Sequence, residues 1–511
     1  MHTRTLTRLA LALALWAGLA AVASAAELKT RGEIIVDSMW GDGGAASFRA
    51  AKDGGDYQDK HHIEERARLL FDFVASENLK FTTQFQIGAG MWGQGGFGLG
   101  QGDGGTGKST AIRVREAYLD FSIPDTEAKV KAGSMLMYLP SAYGGSPILS
   151  DEAAGAVLVT TPLIPDTLSL LVGYARLWDT TQPNNTRNSA TTGADGYGMK
   201  DELDAAILSL PVTLGKTELT PWMVYAWGGK DSLGDAQNAD TDVYTGLLAP
   251  RSQMTGTNAQ SFQKDFRVWW AGLAASVQDF DPIVFGLDFN YGSLSGAGSV
   301  DGAAAPWDSS KVNERAGWYM DGFVGYTGLE WVKPELFFAY SSGEDSDPAN
   351  GSERLPILYN GGYALGTSWW LAGSNFGQTD MGGNNQHIGF WALGFTLKDI
   401  ATLDKLTHDF MVMYAQGTNS ASLLRDPDMA GNQNANFTPG HFLTTKDKFW
   451  EFDLNTRYAL YDELTAILEL GFINMHCDQD LWDDYQNGVG GGGNFKASNA
   501  YKVAAGLKYA F

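Results

Sequence analysis

Tyr501-Lys502-Val503-Ala504-Ala505-Gly506-Leu507-Lys508-Tyr509-Ala510-Phe511 closes the chain and decides how the rest is read. Tyr501, Val503, Ala505, Leu507, Tyr509 and Phe511 share one parity, while Lys502, Lys508 and the small residues Ala504, Gly506 and Ala510 share the other. A period of two belongs to a strand with one oily and one wet face, and it does not fit a helix. A soluble domain is expected to end in a frayed, polar tail, where Phe511 has no place. At the end of a membrane-spanning strand the aromatic has a place, in the girdle at the membrane interface. The stretch therefore predicts the last strand of a transmembrane β-barrel.

The opposite end of the chain agrees. Arg4 and Arg8 precede an apolar run from Leu9 to Val22 that ends at Ala23-Ser24-Ala25. That order predicts a secretory signal over 1–25 and a single domain over 26–511. The run is too short to span a bilayer, and nothing after Ala25 reaches the roughly 18 consecutive apolar residues that a membrane helix needs. A mature chain that crosses a membrane then has only the closed barrel available, since only helices and closed barrels satisfy every backbone group in lipid. The composition is compatible: 63 Gly, 16 Trp, 20 Tyr and 26 Phe in 511 residues, 44% of them hydrophobic, at a mean hydropathy of -0.19. A barrel spreads its apolar residues over alternate positions, so its average looks soluble. The formal net charge of -23 argues against nucleic acid, which is bound through Lys and Arg on phosphate. Cys477 stands alone and cannot form an intrachain disulfide, which a closed sheet does not need.

Between the two ends, alternating segments recur, and the links between them switch regularly between short and long. Short links fall at 76–78, 124–126, 164–166, 212–215, 279–282, 327–329, 398–404 and 461–463. Long ones fall at about 41–60, 93–110, 139–152, 179–199, 228–264, 292–312, 341–386, 417–446 and 475–496, rich in Gly, Asn, Asp, Ser and Thr. Eight short and nine long links predict an all-β, antiparallel up-and-down barrel of 16 to 18 strands, best counted as 18, with short periplasmic turns and long extracellular loops. Trp450, Phe452, Leu454, Tyr458 and Leu460 oppose Glu451, Asp453, Asn455 and Arg457. Phe285, Leu287, Phe289 and Tyr291 oppose Asp288 and Asn290, and Ala67, Leu69, Phe71 and Phe73 oppose Arg66, Arg68 and Asp72. The oily side is expected to meet lipid and the wet side an aqueous lumen. Trp40, Trp92, Tyr138, Trp178, Trp227, Tyr291, Tyr340 and Tyr414 stand where long loops begin, and Phe121, Phe280, Tyr326, Tyr458 and Phe511 near the short turns. Two aromatic belts are thus predicted. One segment breaks phase: Ile112 and Val114 are apolar on even positions, then Ala117, Leu119 and Phe121 on odd ones. A β-bulge or burial at a subunit interface would account for this.

These features together resemble outer-membrane porins, in particular the homotrimeric porins of sulfate-reducing bacteria. The resemblance implies a Gram-negative outer membrane, lipid and lipopolysaccharide as surroundings, a homotrimer, small hydrophilic solutes and ions as cargo, and no cofactor. It also implies a third long loop, 138–153, folded into the lumen. Pro140 and Tyr143-Gly144-Gly145 look like the Pro-Glu-Phe-Gly-Gly of general porins, but that motif's Glu is missing, so the loop's carboxylates are Asp151 and Glu152.

Other motifs weigh less. Gly102 to Ser109 matches a phosphate-loop pattern, yet it sits in a Gly-rich loop ahead of a strand rather than ahead of a helix. Adjacent His61 and His62, and His476 beside Cys477, point to opposite strand faces and make no zinc site. Asp345, Asp347, Asp478, Asp480, Asp483 and Asp484 lack calcium-loop spacing and read as solvated or lipopolysaccharide-bridging acids. No catalytic constellation stands out, so the chain is not expected to be an enzyme. The expected pore-lining and constriction residues are Arg66, Arg68, Asp72, Arg113, Arg115, Asp151, Glu152, Glu451, Asp453 and Arg457, which would set up a field across the lumen. The expected function is passive diffusion of small hydrophilic solutes. The alternatives are a porin selective for an oxyanion or small organic acid, and a secreted β-sandwich that binds or cleaves carbohydrate.

Overall fold

The computed structural model describes residues 27–41, 60–93, 112–179, 202–229, 232, 246–247, 264–298, 311–347, 350–360, 363–371, 373–376, 388–425, 439–440, 442–488 and 497–511. The predicted signal segment and the Gly102–Ser109 motif lie outside the described residues.

Among the described residues, eighteen long strands follow one another. They are β1 (Glu27–Gly41), β2 (Lys60–Ser76), β3 (Leu79–Met91), β4 (Ile112–Ser122), β5 (Lys129–Met137) and β6 (Glu152–Ile164). Then come β7 (Leu168–Asp179), β8 (Glu202–Ser209), β9 (Thr217–Gly228), β10 (Phe266–Phe280), β11 (Ile283–Ser295) and β12 (Arg315–Tyr326). The last are β13 (Lys333–Ser341), β14 (Phe390–Leu403), β15 (Leu406–Gly417), β16 (Lys448–Ala459), β17 (Leu464–His476) and β18 (Ala500–Ala510). After Leu210-Pro211, β8 resumes as Val212–Leu214, because proline has no N–H to give the ladder. Each strand pairs antiparallel with its sequence neighbours. β1 pairs with β18, from Glu33 opposite Ala510 to Gly41 opposite Lys502, and so closes the ring. A closed ring has no edge strand left to protect, and it excludes the two-sheet sandwich.

Most short turns fall close to the expected links, but of the expected link 212–215 only Gly215 turns, Val212–Leu214 being paired strand. Asp125, Asp166 and Gly215 turn the chain in the left-handed region that Asp and Gly tolerate. The seventh turn is tighter than expected: β14 runs on past 398 to Leu403 through two register shifts, and only Asp404-Lys405 reverses the chain.

Facing is the reverse of a soluble protein's. Trp450 and Phe452 are 44% and 39% exposed, while Glu451 and Asp453 between them are 0% and 2% exposed. Trp40, Trp92, Trp227 and Tyr340 are exposed toward the long-loop end, and Phe280, Tyr326, Tyr458 and Phe511 toward the short-turn end. Trp178 is an exception to the predicted belt. Register shifts between Arg176 and Trp178, and Trp178 packs on the buried cluster inside. The phase break in β4 is a bulge: Glu116 pairs with Gln84 and Val114 with Phe85, leaving Arg115 as the extra residue.

The interior is not wet all the way round, which departs from the expected aqueous inner face. On β6–β10 the inward residues Ala156, Ala175, Ala205, Val224 and Trp270 are apolar and buried. They form one cluster with Ile148 and Leu149 of loop 138–151 and with Leu355 and Ile357 of loop 342–389. Trp270 donates its indole N–H to the Pro356 carbonyl at 2.7 Å. The two loops also pair with each other, Leu149-Ser150 lying parallel to Tyr359-Asn360.

Candidate functional site: a charged wall and two loops

The charged wall is built by register. Glu33 of β1 lies opposite Arg68 of β2, Arg68 opposite Gln86 of β3, and Gln86 opposite Arg113 of β4. Directly opposed residues in antiparallel strands share a face, so this row crosses four strands on the inner side. Arg68 donates to Gln86 at 3.0 Å. Glu33 accepts from Arg66 at 3.1 Å, holds Lys508 of β18 at 3.0 Å and has Arg68 at 3.9 Å. One carboxylate therefore faces three cations. The bulge brings Arg115 onto this wall, where it donates to Gln84 at 3.3 Å and to Asp151 at 2.8 Å. Tyr138 also donates to Asp151 at 2.8 Å, and burial together with that carboxylate pushes its hydroxyl pKa up.

Loop 138–151 leaves β5 and reaches β11, far round the ring. Ser141 Oγ, Ala142 N and Tyr143 N donate to the Asp288 carboxylate at 2.7, 2.8 and 2.9 Å. Tyr143 donates its hydroxyl to Glu335 of β13 at 2.9 Å, and Lys398 of β14 holds the other oxygen at 2.6 Å. Burial and Glu335 push the Tyr143 hydroxyl pKa well up. Gly144 has φ +71°, and a Cβ there would meet the Ala364 carbonyl at 2.2 Å. Glycine is thus required where the two loops touch, Ala364 N donating to Gly144 O at 2.7 Å.

Loop 342–389 continues along the wall. Ser368 Oγ and Trp370 N donate to Glu451 at 2.8 and 3.2 Å, and Thr367 lies 3.5 Å from Asp453. Ser374 Oγ and Asn375 N donate to Glu469 of β17 at 3.0 and 2.6 Å, and Lys502 pairs with Glu469 at 2.7 Å. At the end of this path, Arg66 donates to the Phe376 carbonyl at 3.0 Å.

Of the residues expected from the sequence, the fold gathers Arg66, Arg68, Arg113, Arg115 and Asp151 on one wall. Glu152 opens β6 on the same parity as buried Ala154 and Ala156, and it is exposed. Asp72 lies lower on β2, accepting from Thr82 at 2.5 Å with Arg31 at 3.6 Å. Arg457 sits near the short turns, bound to Asp409 and 3.3 Å from Asp399. Glu451 and Asp453 face inward but lie beneath loop 342–389, out of reach of solvent. Glu33, Lys508, Asp288, Glu335 and Glu469 were not singled out as site residues, although each occupies the wet parity of its strand. Leu355-Pro356-Ile357-Leu358, with Trp369, Trp370 and Phe376, in a loop otherwise rich in Gly, Ser and Asn, are the local sign that this loop is buried.

Among the described residues no three His, Cys, Asp or Glu side chains converge to hold a metal ion. Asp478 instead accepts from Leu481 N at 3.2 Å at the start of the short helix α1 (Gln479–Gly488). Cys477 is half-buried, and burial pushes its thiol pKa up.

No family model and no curated protein sequence matches the chain. Solved structures do. OccK8 (OprE) of Pseudomonas aeruginosa is 11% identical, over 95% of this chain and 98% of its own, at a TM-score of 0.47. OpdK of Pseudomonas aeruginosa, solved with vanillate, is 12% identical over 94% and 98%, also at 0.47. The outer membrane protein OprD of Pseudomonas aeruginosa is 11% identical over 94% and 93%, at 0.46.

Proposed function

We propose that this chain is an outer-membrane porin, a water-filled channel through which small hydrophilic solutes and ions diffuse. The observation that carries the reading is the inversion of faces around a closed ring, with large apolar side chains outward and paired charges inward. Soluble proteins rarely expose a continuous apolar band. In lipid a closed barrel with an outward apolar face is one of only two spanning solutions. In this reading residues 1–25 are the export signal, the surroundings are outer-membrane lipid and lipopolysaccharide, and the assembly is the homotrimer of the porins of sulfate-reducing bacteria that the chain resembles.

Loop 138–151 is then the constriction. In this reading the path runs on the charged side, beside β1–β4 and off centre, because the opposite half of the interior is packed with apolar side chains. Asp151, held on Arg115 at 2.8 Å, joins the loop to the wall beside the passage, and Glu152 stands at its rim. In planar bilayers, Asp151→Asn with Glu152→Gln is expected to lower cation over anion permeability and shift the reversal potential. An unchanged reversal potential removes both residues from the filter. A wild-type chain that conducts nothing removes the porin.

A second reading is a channel selective for an oxyanion or small organic acid. It is favoured by the local excess of cations around Glu33 in a chain of net charge -23. Its mark would be conductance that saturates or is blocked by one such solute.

A further inference from the structure

Three inward carboxylates bind the loops in the same way. Asp288 takes the Ser141 hydroxyl and the N–H groups of Ala142 and Tyr143. Glu451 takes the Ser368 hydroxyl and the Trp370 N–H. Glu469 takes the Ser374 hydroxyl and the Asn375 N–H. Each time, a loop serine and an amide one or two residues beyond it converge on a single acid, and all three acids are 2% exposed or less. Charge-assisted hydrogen bonds of this kind are shorter and stronger than neutral ones. A wall carboxylate stripped of its donors would be left buried and under-solvated. Asp288 is also crowded, because the Asp321 carboxyl stands directly opposite it on β12.

We infer that Asp288, Glu451 and Glu469 are positioning residues: clasps that fix the course of loops 138–151 and 342–389 across the interior and thereby set the size limit of the passage. The loops lead from these clasps to the arginine wall. Loop 138–151 runs from Asp288 to the Asp151–Arg115 pair, and loop 342–389 from Glu469 to the contact of Phe376 with Arg66. Freeing a clasp lets go of the loop that carries the next contact. Glu451 and Asp453, expected to act as filter charges, would influence passage through loop 342–389 and not by meeting the solute. The clasps themselves stand on the bonding shown, and their effect on solute size rests on the porin reading.

The test uses the full chain with Asp288→Ala, Asp288→Asn and Glu469→Ala. Amide hydrogen exchange in detergent follows 141–146 and 373–376, and planar bilayers give the largest polyethylene glycol that still lowers conductance. Losing the charged acceptor is expected to speed exchange at Ala142 and Tyr143 roughly 10- to 100-fold in Asp288→Ala, less in Asp288→Asn, with exchange of the strands unchanged and larger polymers admitted. Unchanged exchange at those amides overturns the clasp, and faster exchange with an unchanged polymer limit overturns its role in sizing. Should Asp288→Ala fail to assemble, Ser141→Ala removes one donor only. Several-fold faster exchange at Tyr143 would then support the clasp, and none would overturn it. The exchange measurement needs no channel, so a silent wild-type chain would count against the porin alone.

Discussion

The inner faces of β2–β4 and of β8–β10 belong to one ring, yet they meet opposite surroundings. On β2–β4, Arg66, Arg68, Gln86 and Arg115 bond to one another's partners and to Glu33 and Asp151. On β8–β10, Leu203, Ala205, Val224, Ala226 and Val268 are each at most 4% exposed and touch apolar loop residues. The outward face of both sets is apolar. A barrel is thus not bound to be polar throughout its inner face. Where loops 138–151 and 342–389 meet β8–β10, apolar side chains gain by burial, and where they meet charged strands, loop donors and neighbouring charges satisfy the wall.

The sharpest way to break this contrast is to place the same kind of change on both halves. Ala205→Asp puts an unpaired charge in the dry half and is expected to cost roughly 3–5 kcal/mol, read as a lower urea midpoint in detergent. Arg68→Ala, on a partly exposed side chain, is expected to cost about 0–1 kcal/mol. Equal costs would mean that the two halves are equally hydrated.

A smaller effect tests the outer face. Leu470→Arg, midway along β17 and pointing outward, is expected to destabilise by about 2–4 kcal/mol in lipid, measured by urea unfolding in vesicles. A neutral result would say that this face does not meet acyl chains.

The smallest effect concerns the rim. Glu344, in loop 342–389, is wholly buried beside Ser352 and Arg354, and burial pushes its carboxyl up to about 7. A carboxyl raised in the folded state binds its proton there more tightly than when unfolded. Its contribution is therefore full below about 4.5 and lost as pH rises through 7. Limited proteolysis of this loop is expected to quicken as pH rises from about 4.5 to about 7 and to level off above, and Glu344→Gln should flatten the dependence. Persistence of the full pH dependence in that variant would acquit Glu344.

Much of the ring was legible because the period of two leaves little choice. β11, β16 and β18 each carry large apolar residues on one parity and charges or small residues on the other, and Asp and Gly mark the turns. Arg115 was harder. The phase break in β4 announced an irregularity, but only the partner strand β3 says which residue is extra. The dry half left a trace that alternation alone does not interpret: Ala153-Ala154-Gly155-Ala156-Val157-Leu158-Val159 is apolar on both parities, as a strand covered on both faces must be. The clasps left almost none, because Ser141 and Asp288 are 147 residues apart.

What the sequence determined by itself is which way the alternating strands face and that the strands close on themselves, since parity is a local property and an outward apolar face tolerates no open edge in lipid. What only the tertiary structure decided is where the interior is wet. That depends on which wall each long loop lies against, and the contacts that fix it, between Ser141 and Asp288, Asn375 and Glu469, and Arg66 and Phe376, join residues that no local period connects.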